Sequence, residues 1–184
     1  MPSAAPESQS GILPVVRITT ALPDEPGLLD ALARLLVDCV ADGASLGFLA
    51  PLPVEDARAY WSSVLAGTSA CTFVALDEDG ALVGVVQLRP AQMPNQPHRA
   101  DVAKLMVRPD VRRRGIARAL LAAVEEEAGR LGRWVLVLDT ATGSVAESAY
   151  ETLGWERVGT IPDFALDPQG RLGGTTLFTK RLPR

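Results

Sequence analysis

The chain has 184 residues, 47% of them apolar, and its 22 acidic and 18 basic side chains leave a formal net charge of −4. This composition excludes a wholly disordered chain, and the length suits one domain that can bury a core without metal or disulfide crosslinks. No apolar run approaches the roughly 18 residues that a membrane-spanning helix requires.

The sequence predicts a series of strands and helices in one domain. Residues 1–12 have neither the basic start nor the apolar block of a secretory signal, so we expect a disordered leader followed by a single domain over residues 13–184. Leucines at helical spacing, with Pro26 in the first turn, indicate the first helix, and an acidic turn ending at Gly80 indicates a hairpin. The order of elements predicts an α/β fold with a mixed sheet. Strands are predicted at 15–18, 71–76, 81–88, 101–107, 134–138, 156–160 and 175–180, and helices at 28–39, 54–65, 115–130 and 146–152.

The sequence argues against several function classes. It has no Gly-x-Ser-x-Gly nucleophile motif and no Gly-rich Lys-Ser/Thr phosphate loop, which disfavours a serine hydrolase and a P-loop NTPase. A single histidine, His98, disfavours a histidine-based zinc site, and we expect no metal. Cys39 and Cys71 are far apart and lack metal-type spacing, so we expect two buried free thiols in a cytoplasmic protein.

Basic residues concentrate in one short stretch of an otherwise acidic chain. Five of the 18 fall between Val107 and Leu121, where a strand ends, a loop follows and a helix begins at Gly115. The first amides of a helix have no internal partner and lie at the positive end of its dipole, so this loop suits a phosphate or pyrophosphate. The alternative is an exposed arginine-rich turn that happens to precede a helix. The five residues are Arg108, Arg112, Arg113, Arg114 and Arg118.

Two motifs in the sequence resemble a known family. The stretch from Arg112 to Ala117 reads Arg-x-x-Gly-x-Ala between a strand and a helix, which resembles the acyl-CoA signature of the Gcn5-related N-acetyltransferases (GNAT). Residues 146–155 read Ala-x-x-Ala-Tyr-Glu-x-Leu-Gly-Trp and resemble that family's second signature. The tabtoxin-resistance acetyltransferase branch is similar over most of the chain, from about Val15 to Thr179. The segments that carry this closer similarity are 43–48, 98–102, 138–140, 143–147 and 168–172.

The resemblance implies the GNAT fold and acetyl-CoA as co-substrate. The family's central mixed, mostly antiparallel sheet is flanked by helices and splays open between its fourth and fifth strands, here 101–107 and 134–138. The pyrophosphate of acetyl-CoA is expected on the loop amides, and the Val107 amide is expected to donate to the thioester oxygen as negative charge develops there. Many relatives carry an asparagine where this chain has Gly143, so that contact is expected to weaken or move to Ser144. The implied acetyl-CoA residues are Leu105, Met106, Val107, Arg112, Arg113, Arg114, Gly115, Ile116, Ala117, Arg118 and Ser144.

Two carboxylates are the implied general-base candidates. Asp101 and Asp139 lie at or near the mouths of the two splayed strands, where either could attract a cationic amine and take its proton, directly or through water. The alternative for Asp101 is a solvated turn residue, and the alternative for Asp139 is a cap on the loop 140–144. The branch carries glutamate where Asp101 stands, so this shorter side chain would need a water or a closer substrate.

Three aromatic or titratable side chains complete the implied site. Tyr150 is the general-acid candidate, with its hydroxyl facing the CoA sulfur, and the alternative is a core aromatic on a helix. Phe48 belongs to the predicted acceptor-side loop 43–51, either as a pocket wall or as a core anchor. His98 is a substrate contact or second base, or only a surface residue.

The implied function is transfer of an acetyl group from acetyl-CoA to a primary amine of a small molecule, such as an amino-acid-like toxin or antibiotic. The first alternative acceptor is a protein N-terminus or lysine, which an open groove would favour. The second alternative is a non-catalytic acyl-CoA-binding module. The small basic cluster without interleaved aromatics argues against nucleic acid as a partner. We expect no membrane partner, and the resemblance allows a homodimer.

Overall fold

The computed structural model describes residues 16–67 and 69–184, so the expected leader lies outside the described residues. The described part forms one seven-stranded sheet in the order β1-β2-β3-β4-β5-β7-β6, with helices on both faces. No helix in it is long and apolar enough to cross a bilayer. The strands are β1 (Arg17–Thr20), β2 (Cys71–Leu76), β3 (Leu82–Pro90), β4 (Arg99–Val107), β5 (Val135–Ala141), β6 (Glu156–Leu166) and β7 (Leu172–Arg181), and the helices are α1 (Leu28–Ala41), α2 (Val54–Ala66), α3 (Ile116–Arg130) and α4 (Val145–Thr152).

Helices α1 and α2 cover one face of the sheet. The leucines of α1 repeat at helical spacing and are buried together with Trp61 of α2. This apolar layer packs on Val85 of β3 and Met106 of β4. The first helix begins after Gly27, which takes a left-handed backbone with φ 77°, so Pro26 precedes the helix rather than standing in its first turn.

Helices α3 and α4 cover the opposite face. Leu120 and Val124 of α3 are fully buried against the sheet, and Tyr150 of α4 belongs to the same apolar cluster. Gly84 of β3 allows α3 to pack closely, because a Cβ there would lie 3.0 Å from Leu120 Cδ1 and 3.2 Å from Ile116 Cγ2. The glycine therefore sets how near the start of α3 comes to the sheet.

One strand pair differs from the rest of the sheet. All neighbouring strands are antiparallel except β4 and β5, which run parallel and pair only from Arg99↔Val135 to Asp101↔Val137. Beyond Asp101 and Val137, β4 continues to Val107 and β5 to Ala141 without pairing to each other. The predicted mixed sheet, splayed between its fourth and fifth strands, is therefore confirmed.

The last two strands are longer than predicted. β6 runs to Leu166 and β7 starts at Leu172, whereas the sequence predicted 156–160 and 175–180. Their register shifts between Ile161 and Ala165, where Asp163 has a φ of 50°, so the hairpin continues through a bulge. A proline and paired glycines in these segments obscured the strand signal.

Candidate active site

The gap between β4 and β5 exposes the backbone edge of β4. The Arg108 amide donates to the Val83 carbonyl at 2.9 Å, and Val107 lies opposite Gly84. Because amide directions alternate along an antiparallel strand, the Val107 N–H points away from β3 and toward the gap. The Val107 carbonyl accepts a hydrogen bond from Arg112 Nε at 3.1 Å on the same side. The Val107 amide is therefore a backbone donor that faces the gap.

A bulge in β4 changes the direction of its side chains. Two residues of β4, Lys104 and Leu105, lie opposite Val86 of β3, and Lys104 has a φ of 54°. Leu105 packs toward the α3 face, while Met106 is buried on the α1 face. Their side chains therefore belong to the two apolar layers, and contact with a ligand in the gap would come from their backbone.

The loop between β4 and α3 presents its amides to solvent. Arg113 and Gly115 both have left-handed backbones, with φ of 63° and 80°, and Gly115 caps the N-terminus of α3. No backbone amide from Arg112 to Arg118 donates to an acceptor within residues 16–67 and 69–184. The side chains of Arg113, Arg114 and Arg118 are exposed. Free backbone amides at a helix N-terminus, surrounded by arginine side chains, are an arrangement that can bind an anion.

The guanidinium of Arg112 has a different environment from its neighbours in the loop. It forms an ion pair with Asp42 after α1, in addition to its hydrogen bond with the Val107 carbonyl. The side chain therefore ties the loop to β4 and α1, and only its backbone amide remains for a ligand. Ile116 is buried beneath the loop, and Ala117 is half-buried.

Asp139 lies on the part of β5 that is open to the gap. Its Oδ2 accepts a hydrogen bond of 2.9 Å from the hydroxyl of Thr175 on β7, and the side chain is exposed. Asp139 therefore does not cap the 140–144 loop. That loop is held instead by Ser144, whose hydroxyl accepts from the Glu147 amide at 3.2 Å and caps α4.

Asp101 occupies the last position at which β4 and β5 pair. Arg99 Nη1 donates to its carboxylate at 2.9 Å, and 42% of the Asp101 side chain is exposed. It is the third residue of a strand rather than a turn residue. Asp101 thus stands at the closed end of the gap with a basic partner, and Asp139 stands further into the open end.

Tyr150 of α4 is almost entirely buried in the apolar layer on the α3–α4 face. Its ring packs edge-on against Trp155, with centroids 5.9 Å apart, and at a tilt against Phe178, with centroids 5.7 Å apart. Burial raises the pKa of its phenol above the ordinary range, and the negative charge of Asp139 raises that pKa further. The phenol therefore stays protonated at neutral pH, as a proton donor must.

The acceptor side of the gap is lined by aromatic and basic side chains. Phe48 packs edge-on against Tyr60 of α2 at 5.3 Å, and Lys104 Nζ lies 5.6 Å and 5.4 Å from the centres of these two rings. The 43–51 loop is also anchored to the β6–β7 turn, because the Ala50 amide donates to the Pro168 carbonyl at 2.8 Å. Phe48 therefore forms a wall over this side of the sheet, and it also packs against the apolar layer of α1 and α2.

His98 lies before β4, at the end where β4 and β5 are paired. Its ring stacks on Trp134 with centroids 4.9 Å apart. It stands three residues before Asp101, on the side away from the opening. Asp139 and Val107 thus lie on the unpaired parts of β5 and β4, and Tyr150 is near enough to Asp139 for that charge to raise the pKa of its phenol. His98 lies at the opposite, paired end.

Sequence reasoning missed several polar residues on the α1–α2 face. Lys104 stands among the apolar residues in the second half of β4, and Gln87 and Arg89 alternate with the buried Val86 and Leu88 in β3. Polar residues at alternate positions of an apolar strand indicate a polar surface on one sheet face, and this signal could have located them. Two basic side chains, Arg89 and Lys104, therefore lie on this face in addition to the two carboxylates expected from the sequence.

The structure also describes the possible metal ligands and the surroundings of the two cysteines. The part of the chain that the structure describes contains no group of three or more histidine, cysteine or carboxylate side chains able to hold a metal. Cys39 and Cys71 are free thiols, as expected, although Cys71 is only half-buried. Burial raises the pKa of both thiols, which disfavours the reactive thiolate at neutral pH.

Comparisons with known proteins agree on one family. The model of the Acetyltransferase (GNAT) family matches residues 34–155. An uncharacterized N-acetyltransferase from the hisH-hisA intergenic region of Azospirillum brasilense is 39% identical over 104 residues, covering 55% of this chain. The match spans 61% of that relative's length.

Solved structures have the same fold. A GCN5-related N-acetyltransferase from Kribbella flavida is similar with a TM-score of 0.74 and 26% identity, over 91% of this chain and 98% of that one. A GNAT-superfamily phosphinothricin acetyltransferase from Sinorhizobium meliloti, solved in complex with acetyl-CoA, has a TM-score of 0.75 and 20% identity. That similarity covers 91% of this chain and 88% of the other, and it shows that the two chains share a fold.

Proposed function

The chain belongs to the acetyltransferase (GNAT) family, and we propose that it transfers the acetyl group of acetyl-CoA to the primary amine of a small molecule. The observation that carries this proposal is the row of unpartnered amides from Arg112 to Arg118 beside the open end of the β4–β5 gap. Backbone donors at a helix N-terminus, surrounded by arginines, fit a diphosphate without further rearrangement. These residues would hold acetyl-CoA.

In this proposal the gap supplies a proton acceptor and a proton donor on opposite sides. The acetyl thioester supplies an activated carbonyl. The amine nitrogen forms a bond to the carbonyl carbon, and the carbon–sulfur bond breaks. The nitrogen loses a proton, and the sulfur gains one. Asp139 accepts the amine's proton, directly or through water, because it lies on the open part of β5 and Thr175 engages only one of its oxygens. Tyr150 donates the proton to sulfur, and the Val107 amide stabilises the charge on the carbonyl oxygen.

Asp101 is the weaker base candidate in this proposal. Its carboxylate already accepts a hydrogen bond from the Arg99 guanidinium at 2.9 Å, so it is less available to the amine. Its position at the closed end of the gap suits a role in orienting the amine. Asp139→Asn should therefore lower kcat by at least about 100-fold near neutral pH, and Asp101→Asn should act mainly on KM. Equal full turnover in both variants would contradict this assignment.

The anchored 43–51 loop favours a small acceptor over a protein. Phe48 and the Ala50–Pro168 hydrogen bond narrow the acceptor side, whereas a polypeptide acceptor needs an open groove. An amino-acid-like toxin or antibiotic, as the tabtoxin-resistance branch would take, is the narrower form of this proposal. Incubation with an amine-metabolite library and a peptide library, each with acetyl-CoA, separates the two acceptor classes by mass spectrometry.

Binding of acetyl-CoA is the primary test. Isothermal titration should give saturable binding, weakened at least about 10-fold in Gly115→Asp, because a carboxylate then stands among the loop amides. Gly132→Asp is the matched control: Gly132 follows α3, also has a positive φ of 69°, and has open space around it. Both variants carry the same added charge and similar backbone strain. No binding to the unmodified protein, or equal binding by both variants, would refute the proposal.

A further inference from the structure

Two half-buried basic side chains on the acceptor side, Arg89 and Lys104, form no ion pair with a carboxylate among the described residues. Arg89 donates through Nε to Gln87 Oε1 at 3.0 Å and through a terminal nitrogen to the Tyr60 hydroxyl at 3.2 Å. Lys104 Nζ donates to the Leu46 carbonyl at 2.6 Å. Within residues 16–67 and 69–184, neither forms an ion pair with a carboxylate, whereas Arg99 and Arg112 both do. The hydrogen-bond acceptors that Arg89 and Lys104 contact are therefore all uncharged.

This arrangement is unfavourable without an additional anion. Both side chains are half-buried, and two like charges close together in such surroundings repel each other. Burial lowers the pKa of Lys104, the positive charge of Arg89 lowers it further, and the charge of Asp139 raises it. The sheet thus holds two cations near each other and near Asp139, and an anion placed between them would relieve the repulsion.

A third donor faces the same region without a partner. Gln87 is fully buried in β3, and its amide nitrogen Nε2 has no hydrogen-bond partner among the described residues. Arg89 fixes the orientation of that amide, because it donates to the oxygen and leaves the nitrogen as the free end. A buried amide donor without an acceptor costs about 1–3 kcal/mol, so an acceptor brought by a ligand is the simplest explanation.

These donors lie on the sheet face from which an acceptor would reach the gap. Arg89 lies opposite Asp101 in the β3–β4 register, and Asp101 lies opposite Val137 in the β4–β5 register. Side chains two residues apart on a strand share a face, so Asp139 points to the same side as Val137 and Asp101. Asp101 itself is engaged by Arg99. The face therefore presents cationic donors on β3 and β4 and a carboxylate on β5.

We propose that Arg89, Lys104 and Gln87 form a subsite for an anionic group of the acceptor, so that the preferred acceptor carries a carboxylate or similar oxyanion near its primary amine. The inference rests on the proposed function. The carboxylate of an amino-acid-like molecule accepts hydrogen bonds from the Arg89 guanidinium and the Gln87 amide and pairs with Lys104, while its amine faces Asp139. The subsite selects the acceptor and leaves acetyl-CoA binding unchanged.

The experiment compares matched acceptors that differ only in charge. Each member of an α-amino acid library is paired with its carboxamide, and release of CoA is measured with saturating acetyl-CoA. We expect the carboxylate member of the best pair to have a kcat/KM at least about 10-fold higher, since one buried charge-assisted contact is worth that much. Arg89→Gln and Lys104→Met should raise KM for the carboxylate member at least 10-fold and leave KM for the carboxamide within twofold.

Controls separate this inference from a general loss of structure. Arg58→Gln removes an exposed arginine of α2 that pairs with Asp30 away from the gap, and it should change neither KM. Arg89→Lys should restore part of the preference by restoring the charge. Preference for the carboxamides, equal losses on both members, or no turnover of any carboxylate by a protein that binds acetyl-CoA would overturn the subsite. Absent acetyl-CoA binding would instead overturn the proposed function.

Discussion

At the scale of single residues, Tyr150 combines a packing role with a proposed chemical one. Its ring contacts Trp155 and Phe178, while its hydroxyl is the proposed proton donor. Tyr150→Phe keeps the ring and removes only the hydroxyl, so we expect kcat to fall about 100-fold or more while the midpoint of thermal unfolding changes little. Steady-state kinetics and calorimetry on one preparation measure both effects. An unchanged kcat would leave Tyr150 as a core residue only.

Glu147 is a buried carboxylate whose role is structural. It accepts hydrogen bonds from the Thr176 hydroxyl at 2.7 Å and the Gly143 amide at 2.5 Å, and it pairs with Arg157 at 2.8 Å. The Thr176 and Gly143 donors, with Arg157, hold the pKa of this carboxyl below its ordinary range. Glu147→Gln places an amide N–H against one of these donors, so we expect the free energy of unfolding to fall by about 1–3 kcal/mol at neutral pH.

The sign of the pH dependence follows from the lowered pKa of Glu147. The folded protein binds this proton more weakly than the unfolded chain, so the stabilisation is present above the ordinary glutamate pKa of about 4.3 and is lost as the pH falls through the lowered value. Urea titrations should therefore show the difference between wild type and Glu147→Gln shrinking in acid. Glu151→Gln is the matched control: Glu151 also pairs with Arg157 but is 50% exposed, so its loss should cost no more than about 1 kcal/mol.

At the scale of elements, the distance between α3 and the sheet depends on Gly84. A Cβ at this position would also lie 3.0 Å from the Met106 carbonyl, which belongs to the backbone of β4 and cannot move easily. We expect Gly84→Ala to destabilise the protein by about 1–3 kcal/mol and to weaken acetyl-CoA binding, because the N-terminus of α3 would be displaced. Denaturant unfolding and calorimetric titration measure the two effects.

Gly129, near the end of α3, provides a control for this prediction. A Cβ there would meet nothing within 4 Å, so Gly129→Ala should stabilise the protein by up to about 1 kcal/mol through helix propensity alone. Stabilisation by both substitutions would contradict the close contact between α3 and β3.

The elements with strong periodicity could be predicted from the sequence, and those defined by pairing could not. β2 spans 71–76 as predicted, and α3 ends at Arg130 as predicted, because alternation and helical spacing are local signals. The bulge at Lys104 is a property of the register between β3 and β4, so no local pattern indicates it. The same reason explains why a cap on the loop 140–144 stayed open as the alternative role of Asp139, since its partner Thr175 lies 36 residues away in the sequence.

At the scale of the whole molecule, charge is distributed unevenly. The chain carries a net charge of −4, yet the loop from Arg108 to Arg118 is strongly basic. We expect acetyl-CoA affinity to fall several-fold between low and high salt, because screening weakens the local attraction that overcomes the overall repulsion. Arg113→Gln should reduce this salt dependence. Calorimetric titrations across a salt series test the prediction, and an affinity indifferent to salt would contradict it.

The hydrogen bond between Ala50 and Pro168 has a consequence for redesign. It joins the segment after α1 to the turn between β6 and β7, although more than a hundred positions separate them along the chain. A chimera that imports either segment alone from another protein would lose this junction and alter the geometry of the Phe48 wall. Transplanting a new acceptor preference therefore requires exchanging both segments as one unit.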